Sequence, residues 1–133
     1  MHYFAYASNL NRKQMTEHCP NGKPEFMATL PNYKLIFAGW SREWKGGVAS
    51  IKPFKGEKVI GAVYEVSDRD LRLLDKHEGY PTIYHRFNVT VWTETGESVE
   101  AVTYIKVDQS EETQPSEGYL AIIQQGYRDW GIS

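Results

Sequence analysis

Apolar and polar residues alternate with a period of two over much of this chain, the spacing that sends successive side chains to opposite faces of a strand. His2 to Ala7 alternates aromatic residues and alanines before a polar Ser8-Asn9 turn, and a short helix is expected through Arg12 to His18. Phe26 to Leu30 and Tyr33 to Phe37 read as short strands interrupted at Pro31-Asn32. A loop from Ala38 to Gly47 follows, carrying Trp40 and Trp44 and ending at the Gly46-Gly47 pair. Val48 to Ile51 and Val59 to Val66 predict a hairpin around Lys55-Gly56-Glu57. Tyr84 to Thr93 and Val99 to Val107 predict a second around Thr95-Gly96-Glu97.

Two further segments switch to helical spacing. Ser67 is a plausible N-cap with Asp68 and Asp70 behind it, and Gly79 and Pro81 supply a stop, so a helix is expected up to Glu78. On it Leu71, Leu74 and Glu78 share one stripe, with Arg69, Arg72 and Lys76 opposite. A polar stretch from Asp108 to Gln114 leads through Pro115 to Ser116, the N-cap of a last helix whose Tyr119, Ile122, Ile123 and Gly126 share a face. Neighbouring strands are joined by hairpins rather than by regular helical crossovers. The expected class is α+β: a small, mixed but mainly antiparallel, barrel-like sheet with packed helices. No repeat or low-complexity linker divides it, so residues 1–133 read as one domain.

Composition narrows the function. A chain of 133 residues with 41% apolar residues is long enough for one continuous core. A net charge of -2, with fifteen basic residues spread along the chain, argues against a nucleic-acid or anionic-lipid partner. No apolar stretch approaches the roughly 18 residues that span a membrane, and the N-terminus lacks a signal-peptide pattern, so a cytoplasmic location is expected. Cys19 is the only cysteine, which permits neither an internal disulfide nor a thiolate metal site and reads as a buried or incidental thiol. His2, His18, His77 and His85 are too scattered for a metal signature. No metal or cofactor is expected, and with no heptad pattern the oligomeric state stays open.

One carboxylate sits where local physics argues against it. The carbonyls at a helix C-terminus disfavour an anion by a few tenths to about 1 kcal/mol, so Lys76 and His77 suit that position and Glu78 does not. Facing inward with the leucines, Glu78 would have its neutral form favoured and its pKa raised towards neutrality, as a general acid and base requires. A capping or salt-bridged glutamate in a frayed last turn is the alternative. The turn Tyr6-Ala7-Ser8-Asn9-Leu10 follows the first strand and opens towards a helix. Such a turn points backbone N–H groups outward, ready for a carboxylate or an oxyanion, though helix capping also explains Ser8 and Asn9. Core packing equally explains Tyr6, Tyr104 and Tyr119. Trp40 and Trp44 suit a pocket wall or an exposed contact patch, and are left outside the candidate site.

Five ordered elements, taken together, resemble the γ-glutamylcyclotransferase family, which includes the γ-glutamylamine cyclotransferases and the AIG2-like proteins. They are Phe4-Ala5-Tyr6-Ala7-Ser8-Asn9-Leu10, Trp44-Lys45-Gly46-Gly47-Val48-Ala49-Ser50-Ile51, Gly61-Ala62-Val63-Tyr64 leading to Leu74-Asp75-Lys76-His77-Glu78-Gly79, then Tyr84-His85-Arg86, and Pro115-Ser116-Glu117-Gly118-Tyr119. The resemblance implies a barrel-like enzyme that turns a small γ-glutamyl amide or amine conjugate into 5-oxoproline and a free amine. It implies Glu78 as acid/base, the turn Tyr6, Ala7, Ser8, Asn9 and Leu10 holding substrate through its backbone, and Tyr104 and Tyr119 lining the pocket. Ala7 stands where the family carries glycine, and its methyl limits positive φ and close backbone approach. The implied reaction is intramolecular and needs no enzyme nucleophile, consistent with a chain lacking a G-x-S-x-G elbow or a Cys-His arrangement. A non-catalytic module binding a small γ-glutamyl-like ligand is the alternative. A single-strand nucleic-acid binder has the aromatics but lacks a basic groove. The leaving amine is not identified.

Overall fold

A computed structural model describes residues 1–132; Ser133, the last residue of the expected domain, lies outside the described residues. Five strands, β1 (His2–Ala5), β2 (Lys23–Ser41), β3 (Gly46–Glu65), β4 (Tyr84–Trp92) and β5 (Ser98–Lys106), close into a barrel in the order β1-β3-β2-β4-β5. Four neighbouring pairs run antiparallel, and closure comes from one parallel contact, Tyr3 of β1 opposite Val102 of β5. Three helices pack on this ring: α1 (Arg12–His18), α2 (Asp68–Glu78) and α3 (Glu117–Asp129). The mixed, mainly antiparallel barrel expected is the fold observed, its antiparallel hairpin β4–β5 as read from the sequence pattern and its one parallel contact arising from closure.

The middle of the chain departs from expectation. Neither the interruption at Pro31-Asn32 nor the hairpin pairing Val48–Ile51 with Val59–Val66 exists. Instead β2 and β3 form one long antiparallel arm, with Leu30 opposite Val59 and Leu35 opposite Ile51. Pro31 faces Lys58 and Tyr33 faces Pro53, so residues 54–57 have no opposite numbers and bulge outward beside Asn32. Asn32 takes a left-handed φ of 63°, and its Oδ1 accepts from the Gly56 N–H at 3.1 Å. The Lys55-Gly56-Glu57 signal is therefore real chemistry for a bulge rather than a chain reversal. The reversal lies beyond Ser41, where the Lys45 N–H donates to the Ser41 carbonyl at 2.7 Å, and Trp40 belongs to the end of β2 rather than to a loop. β1 also stops two residues early: Ala7, at φ 54°, turns the chain into a 3-10 turn over Ala7–Leu10.

Alternation along β1 divides the core in two. Phe4 joins Ile51, Val63 and Val91, with Tyr119 and Ile123 of α3, in one cluster. Tyr3 and Ala5 point the other way, towards Leu10, Met15, Cys19, Leu71 and Leu74 between sheet and helices. Cys19 is a buried free thiol there.

Beyond the part of β3 paired with β1, the strand would expose the edge groups of Gly47, Ala49 and Ile51. They are satisfied by other means. Gly47 N–H donates to the Gln114 carbonyl (3.0 Å), Ala49 is bound by two tyrosines, and the Ile51 carbonyl accepts from Gln109 Nε2 (2.8 Å). The polar stretch before α3 thus straps the arm, and on the β2 side the Gly39 N–H reaches the Glu111 carbonyl at 3.1 Å. A side chain at Gly47 would lie within 2.5 Å of the Thr113 carbonyl oxygen, which explains why glycine stands there.

α3 also anchors the turn after β1. Asn11 Nδ2 donates to the Ile122 carbonyl (3.1 Å), Trp130 Nε1 donates to the Leu10 carbonyl (3.0 Å), and a Cβ at Gly126 would sit 2.6 Å from the Asn11 nitrogen. Because the atoms met are mostly backbone that cannot yield, Gly126→Ala sets an overpacking cost in the upper part of the usual range, about 2–3 kcal/mol, against a helix-propensity gain of about 1 kcal/mol. A net loss of about 1–2 kcal/mol in denaturant unfolding is expected. An unchanged or raised midpoint would contradict this packing.

Candidate active site

α2 has the ends its sequence announces. Ser67 Oγ accepts from the Asp70 N–H (3.1 Å) while Asp70 Oδ2 accepts from the Ser67 N–H (2.9 Å), and Gly79 closes the helix at φ 74°. Between these caps the phase is set. Leu71 and Leu74 are buried, Arg69, Arg72 and Lys76 are exposed, and Glu78 is half-buried on the inner stripe. Its Oε1 accepts from Asn9 Nδ2 at 2.9 Å, and the same amide donates to the Tyr3 hydroxyl at 2.7 Å. Burial pushes the Glu78 carboxyl from its ordinary 4.5 up to about 7, against the smaller opposing pull of the Asn9 hydrogen bond.

The carboxylate stands where two hollows meet. An outer cleft of about 360 Å³ and an inner recess of about 40 Å³ share Ser8, Asn9, Glu78, Tyr84 and Tyr119 as their common wall. At roughly 10–15 Å³ of such space per water, the recess accepts a small polar head of about three water volumes. Tyr3, Tyr6, Ala49 and Tyr104 close its floor. The outer cleft is rimmed by Trp40, Arg42, Glu43 and Trp44 at the tip of the long arm, with His18, His77 and Lys106 around it.

Of the residues proposed from the sequence, Tyr6, Ser8, Asn9, Tyr104 and Tyr119 surround the recess with Glu78. Ala7 and Leu10 do not line it: the Ala7 side chain is buried in the strand core and Leu10 packs against the helices. The methyl of Ala7 does not prevent the left-handed turn; Ala7 adopts it at a cost of about 1–2 kcal/mol. The Asn9 N–H donates to the Tyr6 carbonyl (3.2 Å) and the Asn11 N–H to the Ser8 carbonyl (3.1 Å), while the Asn9 side chain reaches Glu78.

Hydroxyl positions are tightly tied. Tyr6 donates to the Tyr104 carbonyl (2.7 Å), and Tyr104 donates to Asp75 Oδ1 (2.6 Å), whose other oxygen pairs with Arg86 at 2.5 Å. Sequence reasoning missed Tyr3, Tyr84 and Asp75. Asp75 lies three residues before Glu78 on the same helix, and Tyr84 is in a matched motif without an assigned role. Trp40 and Trp44, left outside the candidate site, do wall the cleft; Trp44 packs on Tyr119 with ring centroids 5.2 Å apart, while Trp40 is 70% exposed. The expected scatter of histidines does not hold for His18 and His77, which stack at 4.1 Å. Among the described residues, no three His, Cys, Asp or Glu side chains group to hold a metal, and no helix is long and apolar enough to cross a membrane.

Residues 58–133 match the model of the AIG2-like family. The chain is 32% identical to the γ-glutamylcyclotransferase of Bos taurus, over 98% of this chain and 71% of that protein. It is 31% identical to the γ-glutamylaminecyclotransferase of Mus musculus, over 77% and 76%. A solved structure of a γ-glutamyl cyclotransferase superposes with a TM-score of 0.93 at 30% identity, covering 98% of this chain and 80% of that one.

A buried acid with a raised pKa is linked to stability. Between pH 4.5 and about 7 the folded Glu78 holds a proton that the unfolded chain has released, so its contribution falls as pH rises through this window. At about 1.36 kcal/mol per tenfold in proton affinity the penalty above pH 7 is about 3 kcal/mol. Glu78→Gln, which cannot ionise, is expected to melt above the unsubstituted protein at pH 8 and to converge with it below pH 4.5. Parallel melting curves across that range would show that the carboxylate is not held away from water.

Proposed function

Because the chain belongs to the AIG2-like, γ-glutamylcyclotransferase family of enzymes, we propose that it cyclises a γ-glutamyl conjugate, releasing 5-oxoproline and a free amine, with Glu78 moving the protons. The α-amino nitrogen of the glutamyl group attacks its own γ-carbonyl carbon. A C–N bond forms, the carbonyl π pair moves onto oxygen, and that pair returns as the bond to the departing nitrogen breaks. Glu78 takes the proton lost by the attacking nitrogen and returns it to the leaving one, so the net reaction neither consumes water nor changes the proton count.

The observation that carries this reading is the position and proton affinity of one carboxylate. A base with a pKa of about 7 at the meeting point of recess and cleft is half-ionised near neutrality, where it both accepts and donates. Such transfer contributes roughly 10² to 10⁴-fold. Holding the glutamyl chain bent contributes more, about 7–11 kcal/mol for a well-oriented intramolecular attack. The recess suits the polar end of the glutamyl group, and the cleft takes the leaving amine.

The rim suggests which amine leaves. Arg42 and Lys106 carry two full positive charges against the one carboxylate of Glu43, and burial, then the neighbouring His77, holds His18 below its ordinary pKa and so neutral. A leaving amine that bears its own carboxylate, as an amino acid does, fits this rim better than a polyamine.

Glu78→Gln is expected to abolish 5-oxoproline formation while keeping the fold by circular dichroism, and kcat/KM of the unsubstituted enzyme should rise through a limb near pH 7. Retained turnover by the folded variant would remove Glu78 from the reaction. In paired assays, γ-glutamyl amino acids should show a lower KM than the same conjugates with the leaving group's carboxylate amidated, by about twofold to fivefold for a rim charge interaction, and the gap should narrow in high salt. Equal KM values would reject the rim assignment.

A further inference from the structure

Two tyrosines at the wall between recess and cleft hang from a single residue. Tyr84 donates its hydroxyl proton to the Ala49 carbonyl at 2.6 Å, whereas the Tyr119 hydroxyl oxygen accepts from the Ala49 N–H at 2.9 Å. A phenol has one proton to give. Tyr84 has spent it, and its oxygen can only accept. Tyr119 has used a lone pair instead and still holds a proton to donate. Deeper in, Tyr6 and Tyr104 have likewise spent theirs, on the Tyr104 carbonyl and on Asp75. The Asn9 amide is committed to Tyr3 and Glu78, and the Ser8 hydroxyl, also on the shared wall, lies within hydrogen-bonding reach of the Tyr119 oxygen. Tyr3 lines the recess alone, not the junction with the cleft.

At the junction the two phenols are therefore sorted by polarity: Tyr84 can only accept, while Tyr119 brings a donor. Inside the recess Tyr6 and Tyr104 only accept, and Tyr3, which accepts from Asn9, keeps its proton away from the cleft. Backbone anchorage through Ala49 fixes the separation of the Tyr84 and Tyr119 oxygens, since neither can move without losing its bond to the same peptide residue. A donor preset where charge develops needs no reorganisation during the reaction.

From this sorting we infer that Tyr119 donates a hydrogen bond to the substrate's γ-carbonyl oxygen as negative charge builds there, and that Tyr84 accepts from the substrate's N–H groups and orients them. No proton leaves Tyr119; it shares one with the oxygen while the carbonyl pair resides there, and the contact weakens when the pair returns. The inference rests on the cyclisation reading above and adds a residue role to it.

The test compares Tyr119→Phe with Tyr84→Phe by 5-oxoproline release from a γ-glutamyl amino acid. Each variant loses one tether to Ala49, so a merely structural role would move both in the same way. Tyr119→Phe is expected to lower kcat by about 10²-fold with KM within about threefold, and Tyr84→Phe to raise KM about tenfold with kcat within about threefold. A Tyr119→Phe effect confined to KM, or an equal loss of kcat in both variants, would overturn the assignment. Should Tyr119→Phe not fold, 3-fluorotyrosine at position 119 keeps ring and hydroxyl and is a stronger donor. A raised kcat at constant KM supports the role, and an unchanged kcat rejects it. Turnover that depends on Glu78 but ignores every change at Tyr119 defeats this inference alone, whereas an enzyme that forms no 5-oxoproline from any γ-glutamyl conjugate defeats the cyclisation reading and this with it.

Discussion

The hydrogen bond from Asn9 to Glu78 joins the turn leaving the first strand to the last residue of α2. A carboxylate at a helix C-terminus and away from water is doubly disfavoured, by the helix carbonyls and by lost solvation. One amide hydrogen bond does not offset both, so the group keeps a high proton affinity rather than becoming a settled anion. The barrel, the caps and the tyrosine floor can all be understood as what holds this uncomfortable group in place.

Three supports converge on it. α2 delivers Glu78 at the correct rotation because its capping box and Gly79 leave eleven residues no freedom of phase. The turn delivers Asn9 because α3 grips Leu10 and Asn11 from behind, through Trp130, Ile122 and the bare surface of Gly126. The far wall is delivered by the β2–β3 arm, whose free edge is covered by Tyr84, Tyr119, Gln109 and Gln114. An exposed strand edge invites pairing with another chain. Here two of its capping groups, Tyr84 and Tyr119, are also the lining of the site, so the same hydroxyls that close the sheet define the recess.

Much of this was legible in the chain itself because it depends on neighbours within one or two helical turns. The misfit of Glu78, the N-caps at Ser67 and Ser116, the stop at Gly79 and the β4–β5 hairpin all follow from local spacing. The β2–β3 arm was misread for the complementary reason. Pro31-Asn32 and Lys55-Gly56-Glu57 are turn chemistry by composition, and only their pairing across the sheet makes one a bend and the other a bulge. Ala7 shows the same limit: a left-handed alanine is disfavoured locally and is held there by the packing around it.

What the amino-acid order determined by itself was the set of elements and the one acid whose position demanded an explanation, since propensity, capping and helical phase act over a few residues. Tertiary structure alone decided which hydroxyls carry a free proton, that Tyr3, Tyr84 and Asp75 belong to the site, and that two tryptophans wall its mouth. Those properties depend on partners as far as 98 residues away, as with Tyr6 and Tyr104. A hydrogen bond's direction is set by the group across the gap, and no spacing along the chain records what that group will be.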